Sequence, residues 1–324
     1  MPGFIFGGQL FYHFGHSISK FNFGLFHFEG TVVQASMYVN SLAFVDSEDR
    51  LWVYGNNHCG LLGIPDSDTV PLTQILPDVR FEFVLCGPNA TLALDVNGNI
   101  WYSGILNTIN YGKQFAKLNG INQAKLFTQL TNDTRFANIS FCGNSCLATD
   151  IDANLYNFQE VYEKNKFTLL RSNIKQVVGA GSKILCIDIN DDLWISLDNK
   201  TAQNAETFSV NQLTQGSWVK DVIGFFYDVY ILSKDGEVVF MKHEDILNNI
   251  VDPENIKRTI IEQNIVGISV SSYIYMMDIN GKLLQLEKER SSTQIPGVIV
   301  ESLVNQHNYP LGGRTMTIKS ARKI

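Results

Sequence analysis

The stretch Leu42-Ala43-Phe44-Val45-Asp46, followed four residues later by Leu51-Trp52, is the unit from which this chain is built. Four apolar residues run into an acid, a turn follows, and a second apolar run opens with a bulky side chain. The same order returns in Thr91-Leu92-Ala93-Leu94-Asp95 with Ile100-Trp101, in Cys146-Leu147-Ala148-Thr149-Asp150 with Leu155-Tyr156, and in Ile184-Leu185-Cys186-Ile187-Asp188 with Leu193-Trp194. Looser copies are Val229-Tyr230-Ile231-Leu232-Ser233 with Val238-Val239 and Ile274-Tyr275-Met276-Met277-Asp278 with Leu283-Leu284. A partial copy opens the chain, with Ile5 at the acid position and Leu10-Phe11 after the turn. These anchors (5, 46, 95, 150, 188, 233, 278) lie 41, 49, 55, 38, 45 and 45 residues apart, a period that signals a propeller or solenoid.

Continuous apolar runs bounded by turn residues read as strands buried on both faces. Gly8, Gly98, Gly236 and Gly281 fall at the fourth position of the turn, where a positive φ is reached without cost only in the absence of a Cβ. Antiparallel hairpins follow. Trp52, Trp101, Trp194, Tyr156 and Phe11 share one repeat position, with Val239 and Leu284 as smaller substitutes. Burying each is worth about 1.5–3 kcal/mol, and regular placement within a strand fits packing between adjacent sheets better than a row of base-stacking aromatics. A repeat of this length suits a four-stranded antiparallel blade. No anchor follows Asp278 in the last 46 residues, so the ring is expected to close by joining tail to head. The expected fold is all-β: one propeller domain over 1–324, with seven four-stranded blades and a closing blade shared by residues 1–16 and 295–320.

With 45% hydrophobic and 18% charged residues the chain has ample core and little sign of disorder. A net charge of −7 speaks against a surface built to neutralise nucleic-acid phosphates, although Arg314, Lys319, Arg322 and Lys323 make the C-terminal end basic. Five cysteines, an odd number, and a start without a leader-like apolar stretch point to a reducing compartment, cytoplasm or nucleus. No apolar run long enough to span a bilayer is present, so no membrane insertion is expected. A bias toward Asn and Ile hints at an AT-rich coding genome, which brings in a virus-particle component or host-directed effector as one further reading.

The segments Asn40–Gly63 and Cys86–Gly104 resemble repeats of the regulator of chromosome condensation family. Only the first carries the full ending Gly55-Asn56-Asn57-His58-Cys59-Gly60-Leu61-Leu62-Gly63. The resemblance covers nearly the whole chain, and the later copies keep only the hairpin. It implies a seven-bladed propeller closed by both termini. The namesake is a guanine-nucleotide exchange factor for a small nuclear GTPase and docks on chromatin, while relatives are ubiquitin-ligase modules, scaffolds or bacterial effectors. No exchange-factor residue maps onto this chain.

The turns Asp150-Ile151-Asp152-Ala153-Asn154 and Asp188-Ile189-Asn190-Asp191-Asp192 imitate the start of a calcium loop, but the sixth and twelfth positions are Leu155 and Val161, and Leu193 and Asn199. Carboxylates that accept backbone N–H groups in Asx-type turns explain them instead. Cys142 and Cys146 have no second ligand pair for zinc. Gly179-Ala180-Gly181-Ser182-Lys183 leads into a strand rather than the helix a phosphate loop requires. No catalytic constellation, metal or cofactor is called for. Binding is expected in loops, at 105–135 and at 243–257, where His243, Glu244 and Asp245 cluster. Asn40, Asn89 and Asn144, with Ser182 and Ser272, share a position six residues before the anchor and would line one face of the ring. The expected function is a non-enzymatic protein-interaction scaffold, the alternative an exchange factor for a small GTPase. The partner is a protein: a small GTPase, a chromatin protein or a virion component.

Overall fold

The computed structural model describes residues 3–6, 9–14, 22–28, 30, 32–38, 41–57, 60–65, 67–87, 90–104, 124–130, 133–142, 145–161, 164–180, 183–197, 208–225, 228–249, 253–270, 274–286, 292–304 and 317–323. They form a β-propeller of antiparallel blades taken in chain order. The first blade is Val32–Tyr38, Ser41–Asp46, Leu51–Asn56 and Thr69–Ile75; the second is Phe81–Cys86, Ala90–Asp95, Ile100–Gly104 and Ala124–Gln129. The third comprises Phe136–Cys142, Ser145–Asp150, Asn154–Val161 and Lys164–Ser172, and the fourth Ile174–Ala180, Lys183–Asp188, Leu193–Ser196 and the short Asn211–Gln212. Val219–Phe225, Asp228–Ser233, Val238–Met241 and Arg258–Glu262 make the fifth. Ile265–Val270, Ile274–Asp278, Lys282–Leu286, Ser292–Val304 and Thr317–Lys323 make the sixth.

The expected count of seven is corrected to six. Gly3–Phe6, Gln9–Phe14 and Asn22–His27 form a separate three-stranded sheet. The physical reason lies in Ser292–Val304. This long strand pairs with Lys282–Leu286 through its first half and with Thr317–Lys323 through its second, so the C-terminal strand spends its ladder in the sixth blade. Thr317–Lys323 also runs close beside Gly3–Phe6.

The second strand of each blade carries the apolar run. In Ser41–Asp46, Ala90–Asp95 and Lys183–Asp188 every side chain is buried, while the third strand alternates, as in Leu51–Asn56. The core is a series of clusters between successive blades. Ala43, Val45 and Leu51 of the first blade meet Phe81 and Val84 of the second; Leu185 and Ile195 of the fourth meet Val222 and Ile231 of the fifth.

Adjacent first strands are also joined by polar rungs. The Gln34 amide donates to the Val84 carbonyl at 2.8 Å and accepts from its N–H at 2.9 Å. Ser36 Oγ accepts from Cys86 N, and Ser140 Oγ from Gly179 N at 3.1 Å. Gly179 is the residue type this junction demands, because a Cβ there would lie 1.9 Å from the Phe141 carbonyl oxygen. The Gly179–Lys183 run is thus strand and strand start, with 181 and 182 outside the described residues. In the Gly55–Gly63 ending, Asn57 Oδ1 accepts from Leu62 N at 2.8 Å, and Gly60 and Gly63 take φ of +71°. The loop buries Leu61 and Leu62 against Phe127 of the second blade.

Candidate functional site

Each second strand starts on one face of the propeller and ends on the other. On the exit face, the six acids or their substitute build six equivalent turns. Asp95 Oδ1 accepts from Asn97 N and Asn99 N, both at 2.9 Å, and Oδ2 accepts from Trp101 Nε1 at 2.9 Å. Asp46 repeats this with Glu48, Arg50 and Trp52, and Asp188 with Asn190, Asp192 and Trp194. Asp150 Oδ1 takes Asp152 N and Asn154 N, with the Tyr156 hydroxyl bonded to the same carboxylate. Asp278 accepts from Asn280 N and Lys282 N, and Ser233 Oγ from Glu237 N. Burial alone would raise the Asp46 carboxyl, but the hydrogen bonds from Arg50, Trp52 and Glu48 outweigh it and hold it below the usual carboxylate range.

The fourth position of every turn has positive φ: Asp49, Gly98, Ala153, Asp191, Gly236 and Gly281. Trp52, Trp101, Tyr156 and Trp194 are half-buried rather than fully enclosed, and each lies on a core cluster: Trp101 between the first two blades, Tyr156 between the second and third, and Trp194 between the third and fourth. Phe11 pairs through its backbone with Phe4 and Leu25, and its side chain lies outside the described residues.

In five of the six turns the next residue is fixed by its own N–H: Val96 to the Arg80 carbonyl, Ile151 to Arg135, Ile189 to Asn173, Lys234 to Trp218 and Ile279 to Asn264. Four of these tips are large apolar side chains facing water, Val96 at 49%, Ile151 at 64%, Ile189 at 54% and Ile279 at 64% exposure. Between the fourth and fifth blades, Asp191 draws in Lys175 and Lys234.

Asn40, Asn89, Asn144, Ser182 and Ser272 lie outside the described residues. His243, Glu244 and Asp245 open the short helix α1, His243–Asn248. Glu244 pairs with Lys242 and points outward, whereas His243 faces inward. Its Nδ1 is 2.6 Å from Lys183 Nζ, and its backbone N donates to Asp228 Oδ1 at 2.8 Å. Lys183, 1% exposed, is pushed down to about 8 by burial, partly offset by Asp228. Burial and the neighbouring Lys183 likewise push His243 below its ordinary value. Sequence reasoning missed Lys183 and Asp228, which stand at equivalent starts of second strands in successive blades; the phasing of the repeat is the signal that places them together.

Cys86, Cys142, Cys146 and Cys186 are buried free thiols, and burial pushes Cys86, Cys146 and Cys186 up to about 12. Among the described residues no group of three or more His, Cys, Asp or Glu side chains could hold a metal ion, and no helix is long and apolar enough to cross a membrane.

No family model matches the chain. A 77-residue stretch is 34% identical to the Homo sapiens Protein RCC2, over 23% of this chain and only 15% of that protein. Among solved structures, Prp20p from Saccharomyces cerevisiae, described with its binding to Gsp1p and histones, aligns with a TM-score of 0.63 at 12% identity, over 87% of this chain and 81% of that one. Human WBSCR16 aligns with a TM-score of 0.64 at 12% identity over 87% of both chains. Yeast RCC1 (Prp20) in its complex with Kap60 gives 0.57 at 14% identity, over 82% and 74%. At these identities the likeness shows the fold alone, an all-β propeller similar to those of these proteins.

Proposed function

We propose that this chain is a non-enzymatic scaffold whose exit face engages a protein partner. The observation that carries this reading is the set of exposed apolar tips at Val96, Ile151, Ile189 and Ile279, each held by a backbone hydrogen bond from its own N–H. Apolar side chains repeated at equivalent, rigid positions cost little ordering on contact, the condition under which buried area converts into affinity. The second surface is the opposite face, where Asn40, Asn89 and Asn144 would line the ring beside His243, Glu244 and Asp245. In this reading the chain, 1–324, acts as one domain, and the nearness of Thr317–Lys323 to Gly3–Phe6 supports a ring closed there. Reduced, buried thiols fit an intracellular setting. Nothing in the fold favours the virus-particle reading.

The second reading, exchange on a small GTPase, draws on the likeness to Prp20p, described with Gsp1p. Nucleotide-release assays over a panel of small GTPases separate the two: acceleration with any member establishes exchange, and none removes it. For the scaffold, a variant with Ile151→Ser and Ile189→Ser is expected to keep its fold and lose partners captured by the wild type. Unchanged capture would move binding away from this face.

A further inference from the structure

We propose that the contact between Lys183 and His243 is a proton-operated latch that fastens the helix α1 of the fifth blade to the fourth. The helix α1 follows Val238–Met241 and precedes Arg258–Glu262 in the chain. The helix has no side-chain cap at its N-terminus. Two things tie it down. Ile246 enters the core between the fourth and fifth blades. At the other end, His243 meets Lys183 across the blade boundary at 2.6 Å and Asp228 through its backbone.

A lysine ammonium donates and cannot accept, so Nδ1 must offer its lone pair and the ring proton must sit on Nε2. The latch therefore needs a neutral imidazole. Protonation removes the acceptor and sets two cations in contact inside a poorly solvated junction. The charged groups acting on the ring are Lys183 from the fourth blade, Asp228 from the second strand of the fifth, and the outward-pointing Glu244 next to His243 in sequence, which is paired with Lys242; Asp245 follows on the same helix. Of these, Asp228 and Glu244 favour the imidazolium, while burial and Lys183 oppose it and win. Because the folded His243 takes a proton less readily than the free side chain, the latch is fully closed above the ordinary histidine value and is lost as pH falls below it through the lower value of the folded chain. Opening frees α1, with Glu244 and Asp245, to shift, which gives the second candidate surface an acid-sensitive shape.

The test is hydrogen exchange of the 243–249 amides in the full chain, corrected for intrinsic rates, at about pH 7.5 and about pH 5. The wild type is expected to lose roughly tenfold in protection at the lower pH. His243→Asn, whose side-chain oxygen can accept from Lys183 without titrating, should protect equally at both. Lys183→Met, which removes the second cation while keeping an unbranched apolar stem, should shrink the pH dependence to what burial alone leaves, and it decides the matter if His243→Asn fails to fold. Wild-type protection that does not change with pH overturns the proposal, as does an acid loss of the same size in the variants.

Discussion

Replacing Asp95 by Ala removes an acceptor that serves four donors at once: the backbone N–H of Asn97 and Asn99, the Asn99 side-chain amide and the Trp101 indole. Asp95 is 3% exposed, so water cannot readily take its place. Hydrogen bonds to a charged partner contribute about 1.5–3 kcal/mol each, and neighbours in one network do not add fully. The expected loss is therefore about 3–5 kcal/mol, the size of a core truncation although no methyl group has gone. Trp101→Phe keeps most of the ring packed on Phe81 but gives up the indole donor, and should cost about 1–2 kcal/mol. Urea unfolding followed by far-UV circular dichroism measures both, and the double variant closes the cycle. If the carboxylate clamps the indole, the double variant should recover about 1–2 kcal/mol relative to the sum of the single losses. Additivity within about 0.5 kcal/mol would refute the clamp and reduce Asp95 to a turn residue.

Three further outcomes follow from the same geometry. Gly179→Ala forces a Cβ onto the Phe141 carbonyl, so it should part the third and fourth blades and cost at least about 3 kcal/mol; a Tm equal to wild type would show that the two strands are not in such close approach. Ala153 holds a φ of +61°, so Ala153→Gly should gain up to about 1 kcal/mol by relieving a left-handed residue, and a loss in chemical denaturation would place that turn in another conformation. Asp221 is raised to about 7 by burial, against Lys220 and a hydrogen bond from Gln176. The folded chain thus holds that proton more tightly than the unfolded one. Stability from this group is fully present below about pH 4 and is lost as pH rises toward 7, by about 1.36 kcal/mol for each pH unit crossed. Asp221→Asn should flatten that slope, and an identical pH profile would contradict the assignment.

Much of the fold was legible because propeller hairpins are local. The run Leu42–Val45, the acid and Leu51-Trp52 lie within one hairpin, so apolar continuity and turn chemistry mark them without knowledge of the rest. The blade count was not legible, because it depends on how far Ser292–Val304 extends and which neighbour Thr317–Lys323 bonds, and both strands satisfy the same alternation in either pairing. The apolar tips were in plain view as the residue after four of the five acids. They read as ordinary turn residues until the register turned them outward. Lys183 is the opposite case: a charged residue at the head of an apolar run, whose burial is comprehensible only beside His243, sixty positions on and one blade away.

If the exit face binds a protein through its rigid apolar tips, the turns that carry them must be covered in the complex. Hydrogen exchange of the chain alone and with a purified captured partner reads this at each turn. Added protection is expected around Val96, Ile151, Ile189 and Ile279. Protection confined to the opposite face, with these four turns unchanged, would contradict binding through the tips.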